Sequence, residues 1–95
     1  MKRKATFNDI EWEVLLVTKK NMNKGTWGEA SDQEKTLKIR IDLSDRNVID
    51  TAIHECLHAA NFLCFSEEFV SDTATQIAKV LVNHIGVVIN RDQEA

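Results

Sequence analysis

The chain has no proline, no internal repeat, no low-complexity tract and no linker, so nothing in it marks a boundary between domains. Its apolar runs, such as Val14 to Val17, Val80 to Val82 and Ile85 to Ile89, fall far short of the roughly 18 consecutive apolar residues that a membrane span requires. The basic start Met1-Lys2-Arg3-Lys4 lacks the apolar stretch of a signal peptide behind it, because Thr6, Asn8, Asp9 and Glu11 interrupt, and export is not expected. Basic residues are otherwise scattered and the formal net charge is -3, which leaves no broad footprint for a phosphate backbone and argues against nucleic acid as a direct ligand. Cysteine is scarce too. Cys56 and Cys64 fall in or beside one expected helix, about 12 Å apart along it and too far to bridge, so both read as reduced thiols of a cytoplasmic protein.

What is present suits a small globular domain. With 95 residues, 43% of them apolar and 28% charged, the chain can bury one modest core, and any function must share it. Residues 1–9 read as a flexible or edge segment, 10–43 as the β-rich part and 90–95 as a tail. Ile10 to Val17 alternates and then turns continuously apolar, as a half-buried strand running inward does. Lys19 to Asp32, punctuated by Gly25 and Gly28 around Trp27, reads as loop with a short extended piece. Thr36 to Asp42 alternates cleanly, with Leu37, Ile39 and Ile41 on one face. Ser44-Asp45 offers a cap for a helix over 46–63, on which Ile49, Ile53, Leu57, Ala60 and Cys64 recur at helical spacing. Ser66 followed by Glu67 and Glu68 opens a second helix over 66–85, with Val70, Ala74, Ile77, Ala78, Leu81 and Ile85 as its apolar stripe and Gly86 near its end. Two or three strands followed by two packed helices make an α+β domain.

Inside the first helix stands His54-Glu55-Cys56-Leu57-His58, an HExxH pattern. Residues four apart project from one helix face, so two imidazoles can grip one ion while Glu55 falls about 100° round, beside the ion. Asp50, His54, His58 and Asn61 share one stripe, away from Ile49, Ile53 and Leu57, which predicts a polar cleft over the histidines. Zinc held this way keeps a position for water, whose proton Glu55 takes as the water attacks a carbonyl; peptide or amide hydrolysis is the natural reaction.

A catalytic zinc needs a third protein ligand. Glu67 leads the candidates because it lies on the same side of its helix as Ala74 and Ala78, where a carboxylate pointing into the packed interface wants a cation. Glu68 and Asp72 follow, turned further towards solvent, and Cys64 takes the spacing at which metzincins carry their third ligand. His84 sits about 25 Å along the helix from Glu67 and is read as structural.

From Thr51 to His58 onwards the chain resembles small metallopeptidase domains of the zincin type encoded by bacteriophages and prophages. The matching residues are Thr51, Ile53, His54, Glu55, Leu57, His58 and Ala59, then Glu67, Glu68 and Val70, with Trp27-Gly28-Glu29-Ala30 similar to that family's glycine-containing turn. The resemblance implies a minimal gluzincin-like fold in which Glu67 inherits the glutamate ligand role by position. A metzincin is disfavoured, since Met1 and Met22 are the only methionines and neither follows the site as a Met-turn. In larger zincins an edge strand pairs with extended peptide by β-augmentation, a part here expected of Thr36 to Asp42. The alternative is a zincin-derived binding module, such as a phage factor acting on a host protein, with zinc structural or absent and the work done by exposed Trp27 or an edge strand. A third reading is an accidental HExxH on a metal-free helical hairpin.

Overall fold

In the computed structural model, which describes residues 2–61 and 65–90, a four-stranded sheet precedes two helices in an α+β arrangement. The strands are β1 (Lys2–Phe7), β2 (Ile10–Val17), β3 (Gly28–Ser31) and β4 (Thr36–Arg40). β1 and β2 form an antiparallel hairpin that pairs Phe7 with Ile10 across Asn8-Asp9. Both turn residues have positive φ, 52° and 66°, the mirror-image turn that matches strand twist and that Asn and Asp tolerate. Lys2–Phe7, within the segment read as flexible or edge, is therefore an edge strand, and the sheet has four strands where two or three are expected from the sequence. The signal for β1 is faint because only Ala5 and Phe7 in it are even half-buried, too few for a legible alternation.

After β2 the chain crosses to the far edge of the sheet as β3, then returns as β4, antiparallel to β3 and parallel to β2. The strand order is β1-β2-β4-β3. This corrects the expectation that Thr36 to Asp42 offers a free edge: β4 is hydrogen-bonded on both sides, and the edges belong to β1 and β3. The physical reason is burial. Leu37 and Ile39 on β4 are among the most enclosed apolar side chains of the protein, and a central strand is where they are covered from both sides.

The helices are α1 (Asp45–Ala60) and α2 (Glu67–Lys79). Ser44 and Ser66 cap them as their sequences predict, each hydroxyl accepting a backbone N–H three residues on, from Asn47 and Phe69, which satisfies an otherwise orphaned donor. α1 ends at Ala60, one residue before its C-cap Asn61, whose φ of -156° is no longer helical, so the expected 46–63 helix is shortened; its residues 62–63 lie outside the described residues. The side-chain amide of Asn8 donates to the carbonyl of Ala60 and ties the hairpin turn to the end of α1. α2 does not run unchanged to residue 85: it widens into a π-helical turn over Val80–Ile85 and stops at Gly86, whose φ of 86° is the left-handed cap that glycine adopts without strain.

The core lies between the sheet and α1. Trp12, Leu37, Ile39 and Ile41 pack against Val48, Ala52, Cys56 and Ala59. The buried arc of α1 is thus rotated from the expected Ile49, Ile53, Leu57, Ala60 and Cys64 stripe: Val48, Ile49, Thr51, Glu55 and Ala59 are the buried positions, Ile53, Leu57 and Ala60 are half-buried, and Cys64 lies outside the described residues. α1 is covered on two sides, by the sheet and by α2, so one amphipathic stripe does not describe it. Against α1, α2 places Val70, Ala74 and Ala78, all wholly enclosed, and the two alanines let the helices approach closely. The far part of the expected stripe on α2 is not covered, since Ile77 and Ile85 are exposed. Among the described residues no helix is long and apolar enough to cross a membrane.

Candidate metal centre

The four-residue spacing of His54 and His58 puts both imidazoles on one side of α1, ring centroids 5.0 Å apart. The Ser66 cap starts α2 so that Glu67 is its first residue, directly over those rings. Glu67 Oε1 lies 2.7 Å from His54 Nε2 and Oε2 lies 2.9 Å from His58 Nε2. A carboxylate accepts hydrogen bonds and an imidazole Nε2–H donates them, so the same three side chains can hold one another by hydrogen bonds or turn their lone pairs to a cation.

The donors of these three residues all lie within 4.8 Å of one another. Ligand bonds of about 2.0–2.2 Å around a tetrahedral zinc require donors roughly 3.4 Å apart, so the Glu67 contacts of 2.7 and 2.9 Å would open slightly and the wider spacings close. The set of two imidazoles and a carboxylate is also one that zinc accepts in catalytic sites, where a fourth position stays open.

Of the candidate third ligands, the structure brings Glu67 to the histidines. Its side chain is 68% exposed, so it reaches the rings from the solvent side rather than from inside the helix interface as expected from its position on α2. Glu68 and Asp72 are exposed and stand outside the group, and Cys64 lies outside the described residues. His84 is exposed in the π-helical turn at the other end of α2, not packed as a structural histidine would be. A second polar tie joins the helices where the Thr75 hydroxyl donates to Asp50 Oδ2 at 2.9 Å.

Glu55 faces the opposite way from an ordinary surface glutamate. It is only 8% exposed and lines the cleft of about 460 Å³ that also contains His54, His58, Glu67, Phe65, Ala30 and Gly28. Burial, and then the charges of Glu67 and Glu29, push its carboxyl up from 4.5 to about 7, the range in which a general base exchanges protons near neutrality. Cys56 beside it is half-buried against the core, and burial raises its thiol, so it is a packing residue and not a thiolate.

The shift of Glu55 predicts a pH dependence of the metal-free protein. A carboxyl whose folded pKa of about 7 exceeds the unfolded 4.5 contributes stability fully below pH 4.5 and loses it as pH rises to 7. Allowing for solvent screening, the loss is about 2 kcal/mol. Urea denaturation in chelator at both ends of this window should find Glu55→Gln gaining on the parent by that amount as pH rises. Parallel pH profiles for the two proteins contradict the burial of a titrating Glu55.

Gly28 is the residue of the cleft that spacing alone does not disclose. A Cβ there would stand 2.5 Å from Thr51 Cγ2 and 2.8 Å from Glu55 Oε2, closer than any side chain permits. The first residue of β3 therefore lies backbone-to-side-chain against the Thr51/Glu55 face of α1, and helps hold the carboxylate in place. Gly28→Ala should cost about 1–3 kcal/mol by overpacking, read by urea denaturation, with zinc binding kept because the atoms nearest the added methyl belong to Thr51 and Glu55 and not to the three donors. Unchanged stability would mean that β3 stands off from α1.

Comparison with family models, with curated proteins and with solved structures gave no match.

Proposed function

We propose that the protein is a minimal zinc-dependent peptidase of the zincin type, as its resemblance to the phage-encoded metallopeptidase domains implies. The observation that carries the reading is the joint placement of a buried, proton-exchanging Glu55 and a His54/His58/Glu67 donor group in one cleft. Zinc bound there supplies a water acidified towards neutrality and a Lewis acid for the carbonyl oxygen. Glu55 takes the proton of the attacking water and returns it to the departing amine. His54, His58 and Glu67 would hold the ion, and the burial of Glu55 keeps its carboxylate from being levelled by bulk solvent.

The sheet edge supports an extended peptide as substrate. Among the described residues β3 is an edge strand, and its residues Gly28 and Ala30 border the same cleft as the three donors. The opposite edge, β1, carries Lys2, Arg3 and Lys4, the charges by which proteins blunt an edge against pairing, whereas β3 carries only Glu29 among charged residues. A peptide adding to β3 would lay its carbonyls beside Glu55. The test is zinc-dependent release of amine from an unstructured peptide mixture, abolished by chelator, restored by zinc and lost in Glu55→Gln. No release from zinc-loaded protein sinks the proposal.

A further inference from the structure

The groove has a second compartment, and its lining differs from that over the donor group. Trp27, Asp50 and Thr51 border a cavity of about 290 Å³ that shares Gly28, His54 and Glu55 with the cleft already described. Trp27 is 46% exposed, while Trp12, the other tryptophan of the chain, is 1% exposed in the core. An indole left in water just ahead of β3 adds little to the fold, and a large aromatic face beside a reacting centre is typical of a ligand pocket. Asp50 stands one helical turn before His54, and the Thr75 hydroxyl on its Oδ2 restrains the carboxylate. The ionisable groups of the lining are Asp50, His54 and Glu55, with no lysine or arginine among them.

Such a lining discriminates by charge and by shape together. An acidic side chain would meet two carboxylates. An apolar one would cover Asp50 without pairing it, at the cost of desolvating a charge. A long alkyl stem ending in a cation answers both demands: the indole takes the methylenes and attracts the cation through its ring face, and Asp50 accepts its hydrogen bonds. We infer that the Trp27/Asp50 compartment is a specificity pocket for a lysine or arginine side chain of the bound peptide, next to the bond at the donor group. That the bound peptide is also a substrate rests on the peptidase reading above; the charge preference of the pocket does not.

The two are separated by measuring binding and cleavage independently. Zinc-loaded protein is titrated calorimetrically with acetylated, amidated Ala-Xaa-Ala tripeptides in which Xaa is arginine, lysine, norleucine or glutamate, and amine release is followed in parallel. Arginine and lysine peptides are expected to bind about tenfold more tightly than norleucine, a ratio set by one charge-assisted contact, with glutamate weakest. Asp50→Asn should bring arginine down to the norleucine level with zinc content unchanged. Should Asp50→Asn not fold, Trp27→Ala at its exposed position carries the test, with the same loss of preference expected. Equal binding of arginine and norleucine, preference retained in the variant that folds, or no binding by any peptide overturns the pocket. Arginine preference without cleavage overturns the peptidase reading alone, and zinc-dependent cleavage without that preference overturns the pocket alone.

Discussion

Equilibrated with zinc and freed of excess, the protein is expected to carry one ion per chain, and the His54→Ala, His58→Ala double variant to carry none. The expectation rests on three donors from two helices that already converge within 4.8 Å. It does not rest on the HExxH spacing alone, which many helices contain by chance. Removing a direct ligand should weaken zinc by more than the roughly 10–100-fold that loss of an outer-shell partner costs. The same donors couple metal to folding, because they come together only when α2 is docked on α1. At a free zinc concentration about a thousandfold above the dissociation constant, linkage adds about 4 kcal/mol. In a domain of this size that raises the melting temperature by roughly 15–30 °C. Thermal melting with zinc and with chelator reads the shift directly. Glu67→Gln should show a smaller shift, since its amide oxygen is a weaker donor than a carboxylate. A melting temperature that ignores zinc, or a double variant that keeps its ion, would remove the metal centre and everything built upon it.

Glu55→Gln is expected to keep zinc and lose about 10²–10⁴-fold of any hydrolysis, the span attributed to a positioned general base. Glutamine preserves the shape of the side chain among Gly28, Thr51 and the core while giving up proton transfer, so the fold and the donor group should be untouched. The variant therefore separates chemistry from assembly, which removal of a histidine cannot do. Elemental analysis and peptide cleavage on the same sample give the pair of numbers required. If cleavage persists at the parental rate, Glu55 is not the base. If zinc binds and neither protein cleaves, the ion is structural and the domain is a binding module, with β3 and Trp27 as the surfaces to alter next.

The expected stability change of Glu55→Gln follows from the same burial and helps to distinguish these outcomes. A buried carboxylate near neutral pH weakens the metal-free fold, and a bound cation reverses that penalty by favouring the charged form. Zinc should thus stabilise the parent by more than it stabilises the glutamine variant. A structural ion remote from Glu55 would stabilise both alike.

Much of the local structure was legible in the chain. The bounds of β2, the two serine caps and the placement of both histidines on one face of α1 follow from periodicity and capping, which involve residues only a few positions apart. The position of Glu67 on its own helix makes it the leading third ligand from sequence. Its geometry, bridging both imidazoles from the solvent side while Glu68 and Asp72 stay outside, depends on how α2 crosses α1, a relation between residues on different elements. The buried arc of α1 was displaced for the same reason, because two partners cover it and no single stripe encodes two contacts.

The order of the strands lay further from reach. Alternation identified the strand from Thr36, yet cannot say what pairs on either side of it, and the edge facing the cleft proved to be β3. Gly28 against Glu55, and Trp27 in one cavity with Asp50, join the loop-and-strand region to the helix across a long stretch of chain. By itself, then, the sequence determined both helices, the strands from Ile10 and Thr36 and the helix face that offers two imidazoles to an ion, since each rests on spacing within a turn or a pleat. The tertiary structure alone decided which edge is open, what buries Glu55 and what borders the groove, because those depend on packing between segments that local patterning leaves independent.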